Sequence, residues 1–91
     1  MNSNIKKTLT VNHACGVHAR VATMLAKKAS EFVSEIKLLK GSYVADCRSV
    51  LDLLALGAFK GDHLELVVVG EDADAAAGAI TAIFDAGFYE E

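Results

Sequence analysis

Proline is absent from all 91 residues. No helix entry in this chain is therefore pre-set in φ by a pyrrolidine ring. Cysteine occurs twice, at Cys15 and Cys47, in unrelated contexts and without a C-x-x-C pair. A disulfide framework is not expected, and a reducing compartment, the cytoplasm, is. No apolar run approaches the ~18 residues that cross a bilayer. The start, MNSNIKK, has no apolar segment of the secretory type behind it. Membrane insertion and export are thus not expected. The chain also lacks a basic stripe with interleaved aromatics, which speaks against nucleic acid as a partner. Neither a low-complexity linker nor an internal repeat is present, so residues 1–91 read as one domain.

What is present is a chain with 53% hydrophobic and 23% charged residues, enough to bury a modest core. Its net charge of −3 is unevenly spread. Residues 1–70 carry all nine Lys and Arg against six acids, and residues 71–91 carry the other six acids and no base. A mildly basic body suits an acidic protein partner.

Hydrophobic spacing divides the chain into seven elements. IKKTLTV alternates, with Ile5, Leu9 and Val11 on one side and Lys6, Thr8 and Thr10 on the other, as in a half-buried strand. NHACG reads as a loop. From Ala19 to about Phe32, Ala22, Leu25, Ala26, Ala29 and Phe32 recur at helical spacing. SEIKLLK and SYVADC flank Gly41 as a hairpin. HLELVVVG alternates again, with Leu64, Leu66 and Val68 toward the core. Ala76, Ile80, Ile83 and Phe84 form the stripe of a last helix. Asp72 and Asp74 suit its N-terminal dipole, and Gly87 followed by Phe88 suits its C-terminal stop. The order β-α-β-β-α-β-α predicts an α+β two-layer sandwich, one four-stranded antiparallel sheet with three helices on one face.

The short middle helix, in RSVLDLLALG, is not a simple amphipath. Ser49 and Asp52 resemble a capping box with Asp in place of Glu, and Gly57 is a candidate C′ stop. At 100° per residue, Val50, Leu51 and Leu54 fall on one arc, and Leu53 and Leu56 on another. One arc faces water in so small a domain, and an exposed apolar arc marks a partner surface. The competing reading buries every leucine in the core.

The stretch CGVHARVA places a histidine at the mouth of the first helix. Gly16 permits positive φ and leaves room for an approaching backbone. Ala19 and Arg20 open the helix, so their N–H groups lack intrahelical acceptors and favour an anion. Arg20 adds a permanent charge with phosphate-matching geometry. A neutral imidazole is a competent nucleophile near neutral pH. Together these groups suit a phosphoryl group carried on His18. The bland reading is a surface histidine beside an ordinary helix start.

GVHARVA resembles the active-site signature of the HPr family, the histidine phosphocarriers of the bacterial phosphoenolpyruvate-dependent phosphotransferase system, written G-(aliphatic)-H-A-R-P-A. SVLDLLALGAFKGDHLELVVVGEDADAA is similar to the family's second-helix segment, Gly-rich link, fourth strand and start of the last helix. The resemblance covers about residues 5–88. The ending AIFDAGF followed by acids looks more like the nitrogen-branch type, NPr, than the sugar-branch type.

The resemblance implies a βαββαβα sandwich and a stoichiometric carrier rather than a stand-alone enzyme. Enzyme I would donate a phosphoryl group, drawn from phosphoenolpyruvate, to Nδ1 of His18. His18 would pass it to an Enzyme IIA-type acceptor. Arg20 matches the phosphate-contacting arginine, with Gly16 and Ala19 supporting the phosphate. No cofactor and no metal are implied, and a monomer is expected. Val50, Leu51 and Leu54 match the family's docking patch, and Lys27 and Lys28 extend its basic rim. Ser49 matches a serine that a regulatory kinase modifies in some members, although an N-cap role is the favoured account of it. Val21 departs from the family pattern, which has proline there, and this puts the rigidity of the site in doubt.

Two other functions compete. His13, Cys15 and His18 are metal-ligating types close in sequence, but H-x-C-x2-H is not a common structural-zinc spacing. A non-relaying HPr-like binding module would keep the fold without the chemistry.

Overall fold

The computed structural model describes residues 3–89. Strand β1 spans Ser3–Thr10, helix α1 Ala19–Ala29, β2 Glu35–Lys40 and β3 Tyr43–Asp46. Helix α2 spans Val50–Ala55, β4 His63–Gly70 and α3 Ala73–Asp85, followed by a single turn at Gly87–Tyr89. The seven expected elements occur in the expected order.

The sheet is antiparallel throughout, in the order β1-β4-β2-β3. Register places core residues opposite one another. Leu9 pairs with Leu64, Ile5 with Val68, Leu66 with Leu38, and Leu38 with Ala45. A slip of one residue would turn each of these toward water. Leu38, Leu64, Leu66 and Val68 are fully buried, and Leu25, Leu53, Ile80 and Phe84 of the helices close over them. Burying one such side chain contributes about 1.5–3 kcal/mol.

This order interleaves two split units. β1 and β2 run parallel with β4 between them, and β3 and β4 run parallel with β2 between them. Because Thr10 pairs with His63, β1 ends where β4 begins. The loop entering α1 and the loop leaving α2 therefore meet at one edge of the sheet. That meeting creates the site described below.

Three local details differ from the expectation. Helix α1 stops at Ala29, not Phe32. The Ser30 hydroxyl donates to the Ala26 carbonyl at 2.8 Å, and the Glu31 and Phe32 N–H groups reach back only three residues. The tightened last turn then releases the chain toward β2. At α2 only half of the capping box forms. Ser49 Oγ accepts from the Asp52 N–H at 3.1 Å, while the Asp52 carboxylate accepts from the Asp46 N–H at 3.0 Å. Asp72 lies at the start of α3 without a side-chain cap. Its carboxylate instead accepts from the Val33 and Ser34 N–H groups and from the Ser34 hydroxyl. These three donors hold the Asp72 carboxyl below its ordinary pKa, the Ser34 hydroxyl contributing most. Gly57, at φ +63°, follows the Leu56 C-cap as the expected left-handed stop of α2. Among the described residues no helix is long and apolar enough to cross a membrane.

Candidate functional site

The site begins with two loops laced together by backbone. Val11 N–H donates to Asp62 O at 2.9 Å, Gly61 N–H to Val11 O at 2.8 Å, and Val17 N–H to Ala58 O at 3.0 Å. Gly16 is buried with φ +64°. A Cβ there would collide with the Ala58 carbonyl oxygen and lie 3.0 Å from Phe59 Cα. The approaching backbone that Gly16 was expected to admit is thus the 58–59 segment. Within the first loop, Cys15 N–H donates to His13 Nδ1 at 3.1 Å and Gly16 N–H to His13 O at 3.0 Å.

His18 is the N-cap residue of α1, half-buried, with extended backbone at φ −101° and ψ −177°. Its carbonyl accepts the first intrahelical bond, from Ala22 N–H at 2.8 Å. Its imidazole makes no capping bond to the helix. The N–H groups of Ala19, Arg20 and Val21 precede that first bond and have no intrahelical acceptor. No acidic side chain stands in the first turn, and Lys27 and Lys28 stand in the last. The positive end of the α1 dipole favours an anion. Val21, where the signature has proline, is fully buried in the core.

Arg20 is exposed and crosses to the end of the chain. Its Nη2 donates to the Phe88 carbonyl at 3.1 Å. Phe88 lies in a turn closed by Tyr89 N–H to Ala86 O at 3.2 Å, with positive φ at Gly87 and Phe88. The expected apolar residue after Gly87 is present, but in left-handed backbone that bulky residues avoid. The buried Phe88 ring, edge-on to Phe84 at 5.0 Å, holds it there. This link between Arg20 and Phe88 has no counterpart in sequence spacing.

The second loop is clasped from β2. Lys40 Nζ donates to the Gly57 carbonyl at 2.6 Å and pairs with Asp62 at 2.9 Å. The Asp62 carboxylate also accepts from Phe59 N–H at 2.8 Å. That backbone donor first, and Lys40 second, hold the Asp62 carboxyl below its ordinary pKa.

The expected docking residues separate by exposure. Leu51 is 79% exposed and Leu54 39%, whereas Val50 is half-buried and packs against the core. Leu53 and Leu56 are buried, so the leucines divide between the two arcs as the helical projection predicts, whereas Val50, projected onto the arc of Leu51 and Leu54, packs against the core. Helix α1 packs against α2. Along α1 an open groove is lined by Arg20, Met24, Lys27 and Lys28. Lys28 is tied to Glu31 at 3.2 Å and Lys27 is exposed. Ser49 Oγ is engaged as the α2 cap.

The remaining candidates fall away from this arrangement. Among the described residues no three His, Cys, Asp or Glu side chains gather as a metal site, so His13, Cys15 and His18 do not form one. Cys15 is an exposed thiol and Cys47 a buried one. Burial pushes the Cys47 pKa up to about 12, which keeps it protonated and inert.

Comparison with known proteins bears on this site directly. Residues 5–86 match the family model described as PTS HPr component phosphorylation site. The chain is 43% identical over 88 residues to phosphocarrier protein NPr of Shewanella violacea, covering 97% of each. It is 39% identical over 87 residues to phosphocarrier protein HPr of Treponema pallidum, covering 96% of this chain and 99% of that one. The crystal structure of HPr-C-His from Thermoanaerobacter tengcongensis superposes with a TM-score of 0.91 at 28% identity, covering 96% of this chain and 98% of that one.

Proposed function

Because the chain belongs to the HPr family of phosphotransferase-system phosphocarriers, we propose that His18 is the residue that carries the phosphoryl group, with Arg20 as its charge partner. The observation that carries this reading is the placement of His18 as the N-cap of α1. It directly precedes backbone donors with no intrahelical acceptor, and a guanidinium lies two residues on.

The step is an in-line displacement. The Nδ1 lone pair attacks the phosphorus of a phosphohistidine on Enzyme I. The donor's N–P bond breaks as the Nδ1–P bond forms, and the electron pair returns to the donor imidazole. Nε2 of His18 keeps its hydrogen, so Nδ1 is the nucleophile. Transfer onward to an Enzyme IIA-type histidine reverses these roles. Such chemistry needs positioning and charge stabilisation more than proton transfer. The α1 N-terminus and Arg20 supply the charge, and Gly16 docked on Ala58 supplies the positioning. Arg20 is already anchored on the Phe88 carbonyl, so its side chain is held near the turn that begins α1. No cofactor enters the scheme.

Leu51 and Leu54, with the Lys27 rim, form the surface that receives both partners. Val50 supports it from below. The nitrogen-regulatory branch is favoured over sugar uptake by the NPr relative and by the ending AIFDAGF. The carrier acts in the cytoplasm as a monomer. Charging the protein with Enzyme I and phosphoenolpyruvate, then recording proton–phosphorus correlation spectra, tests the site. Coupling of phosphorus to the His18 ring through Nδ1 is expected, and coupling to His13 or His63 would overturn the assignment. Faster discharge to a nitrogen-type than to a sugar-type acceptor domain is expected for the branch, and the reverse order would overturn it.

A further inference from the structure

We propose that Phe59 is a second apolar anchor for the phosphoryl donor, set apart from the leucines of α2 and fixed to the loop that carries His18. The inference rests on the carrier reading above and adds a residue that sequence pattern did not single out. A lone exposed apolar side chain is ordinary on a protein surface. Phe59 differs because it is both exposed and held. It is 65% exposed and lies outside the hydrophobic core. Its N–H donates to the Asp62 carboxylate, its carbonyl accepts from Asp62 N–H at 2.9 Å, and the Lys40 ammonium lies 5.6 Å from its ring centroid. Lys40 is itself fixed by Gly57 and Asp62. A residue with a fixed backbone and a ring set over a fixed cation loses less freedom on binding than a mobile one.

Position supplies the rest. Phe59 Cα stands against Gly16, two residues before His18. A partner histidine must reach His18, and an interface of ordinary size covers ~800 Å² on each side, a disc of roughly 16 Å radius. A disc centred on His18 takes in Phe59. The surroundings are basic, since Lys60 is exposed beside it and the Asp62 charge is answered by Lys40. The fitting partner surface is an apolar socket bordered by carboxylates. The donor is the occupant chosen because every carrier of this class meets Enzyme I, whichever branch it serves.

The test follows phosphoryl uptake from phosphorylated Enzyme I at increasing concentrations of this protein. Phe59→Ala is expected to raise KM about tenfold and leave kcat within about twofold. Phe59→Leu, which keeps apolar area, is expected to recover most of that loss. Both variants should melt at the wild-type temperature. An unchanged KM for Phe59→Ala beside an active wild type overturns this inference alone, as does a loss confined to kcat, which would mean that Phe59 acts only through the loop. A wild type that takes up no phosphoryl group overturns the carrier reading and the inference with it.

Discussion

Arg20 donates from Nη2 to the backbone carbonyl of Phe88 at 3.1 Å, which joins the first turn of α1 to the turn that follows α3. The guanidinium is thereby oriented by residues 68 positions away. Arg20→Ala is expected to cost about 0.5–1.5 kcal/mol of stability through this bond. It should slow phosphoryl uptake by about 10–100-fold, the range for a hydrogen bond to a charged group. Urea unfolding and single-turnover uptake measure the two separately. Wild-type uptake by Arg20→Ala would remove the arginine from the site.

Gly16 tests how far loop contact positions His18. Gly16→Ala places a side chain at φ +64° against the Ala58 carbonyl. A loss of about 1–3 kcal/mol is expected from backbone strain alone, with more from the collision. Urea unfolding gives the value, and a neutral substitution would contradict the described docking of the two loops.

Leu51→Glu should behave in the opposite way. The side chain is 79% exposed, so the expected stability change is within about 0.5 kcal/mol. Binding to Enzyme I, read by calorimetry, should weaken at least about tenfold. A large stability loss with intact binding would place Leu51 in the core.

Acid should loosen the join between the 32–34 segment and α3. The folded-state pKa of Asp72 lies below its ordinary value of 3.8. A depressed carboxylate contributes stability that is fully present above the unfolded-state pKa and lost as pH falls through the folded one. Wild type should therefore lose stability below about pH 4, and Asp72→Asn should lose less over the same interval. Equal slopes in the two proteins would show that the Ser34 and Val33 bonds do not discriminate the charged form.

Much of the fold is legible because it is local. Alternation fixes the inward faces of β1 and β4, and helical spacing fixes those of α1 and α3. The two leucine arcs of α2 separate correctly because α2 lies on one layer with water on its other side. The end of α1 is misread by three residues because Phe32 keeps helical spacing after Ser30 has bonded back to Ala26. Sheet order is hidden because pairing Thr10 with His63 is a long-range choice. The same holds within the site. His18, Arg20 and Gly16 are legible as a motif, since GVHARVA resembles the family signature. Ala58 beneath Gly16, Phe88 behind Arg20 and Lys40 beneath Phe59 are not, because each is brought near only by long-range packing, of β1 on β4, of α1 on α3 and of β2 on β4. The glycines at 57 and 61 were the available hint that the 57–62 segment turns tightly for a purpose. Val21 shows the limit of motif reading. The missing proline ring implies a looser helix entry, and the motif does not reveal that the Val21 side chain is buried in the core.

The central claim is that His18 carries a phosphoryl group, and intact mass spectrometry tests it most directly. The protein is incubated with its cognate Enzyme I, magnesium and phosphoenolpyruvate, beside His18→Ala. Wild type is expected to gain the mass of one phosphoryl group, labile to acid, and His18→Ala to gain none. No adduct on wild type, or an equal adduct on His18→Ala, would contradict the account.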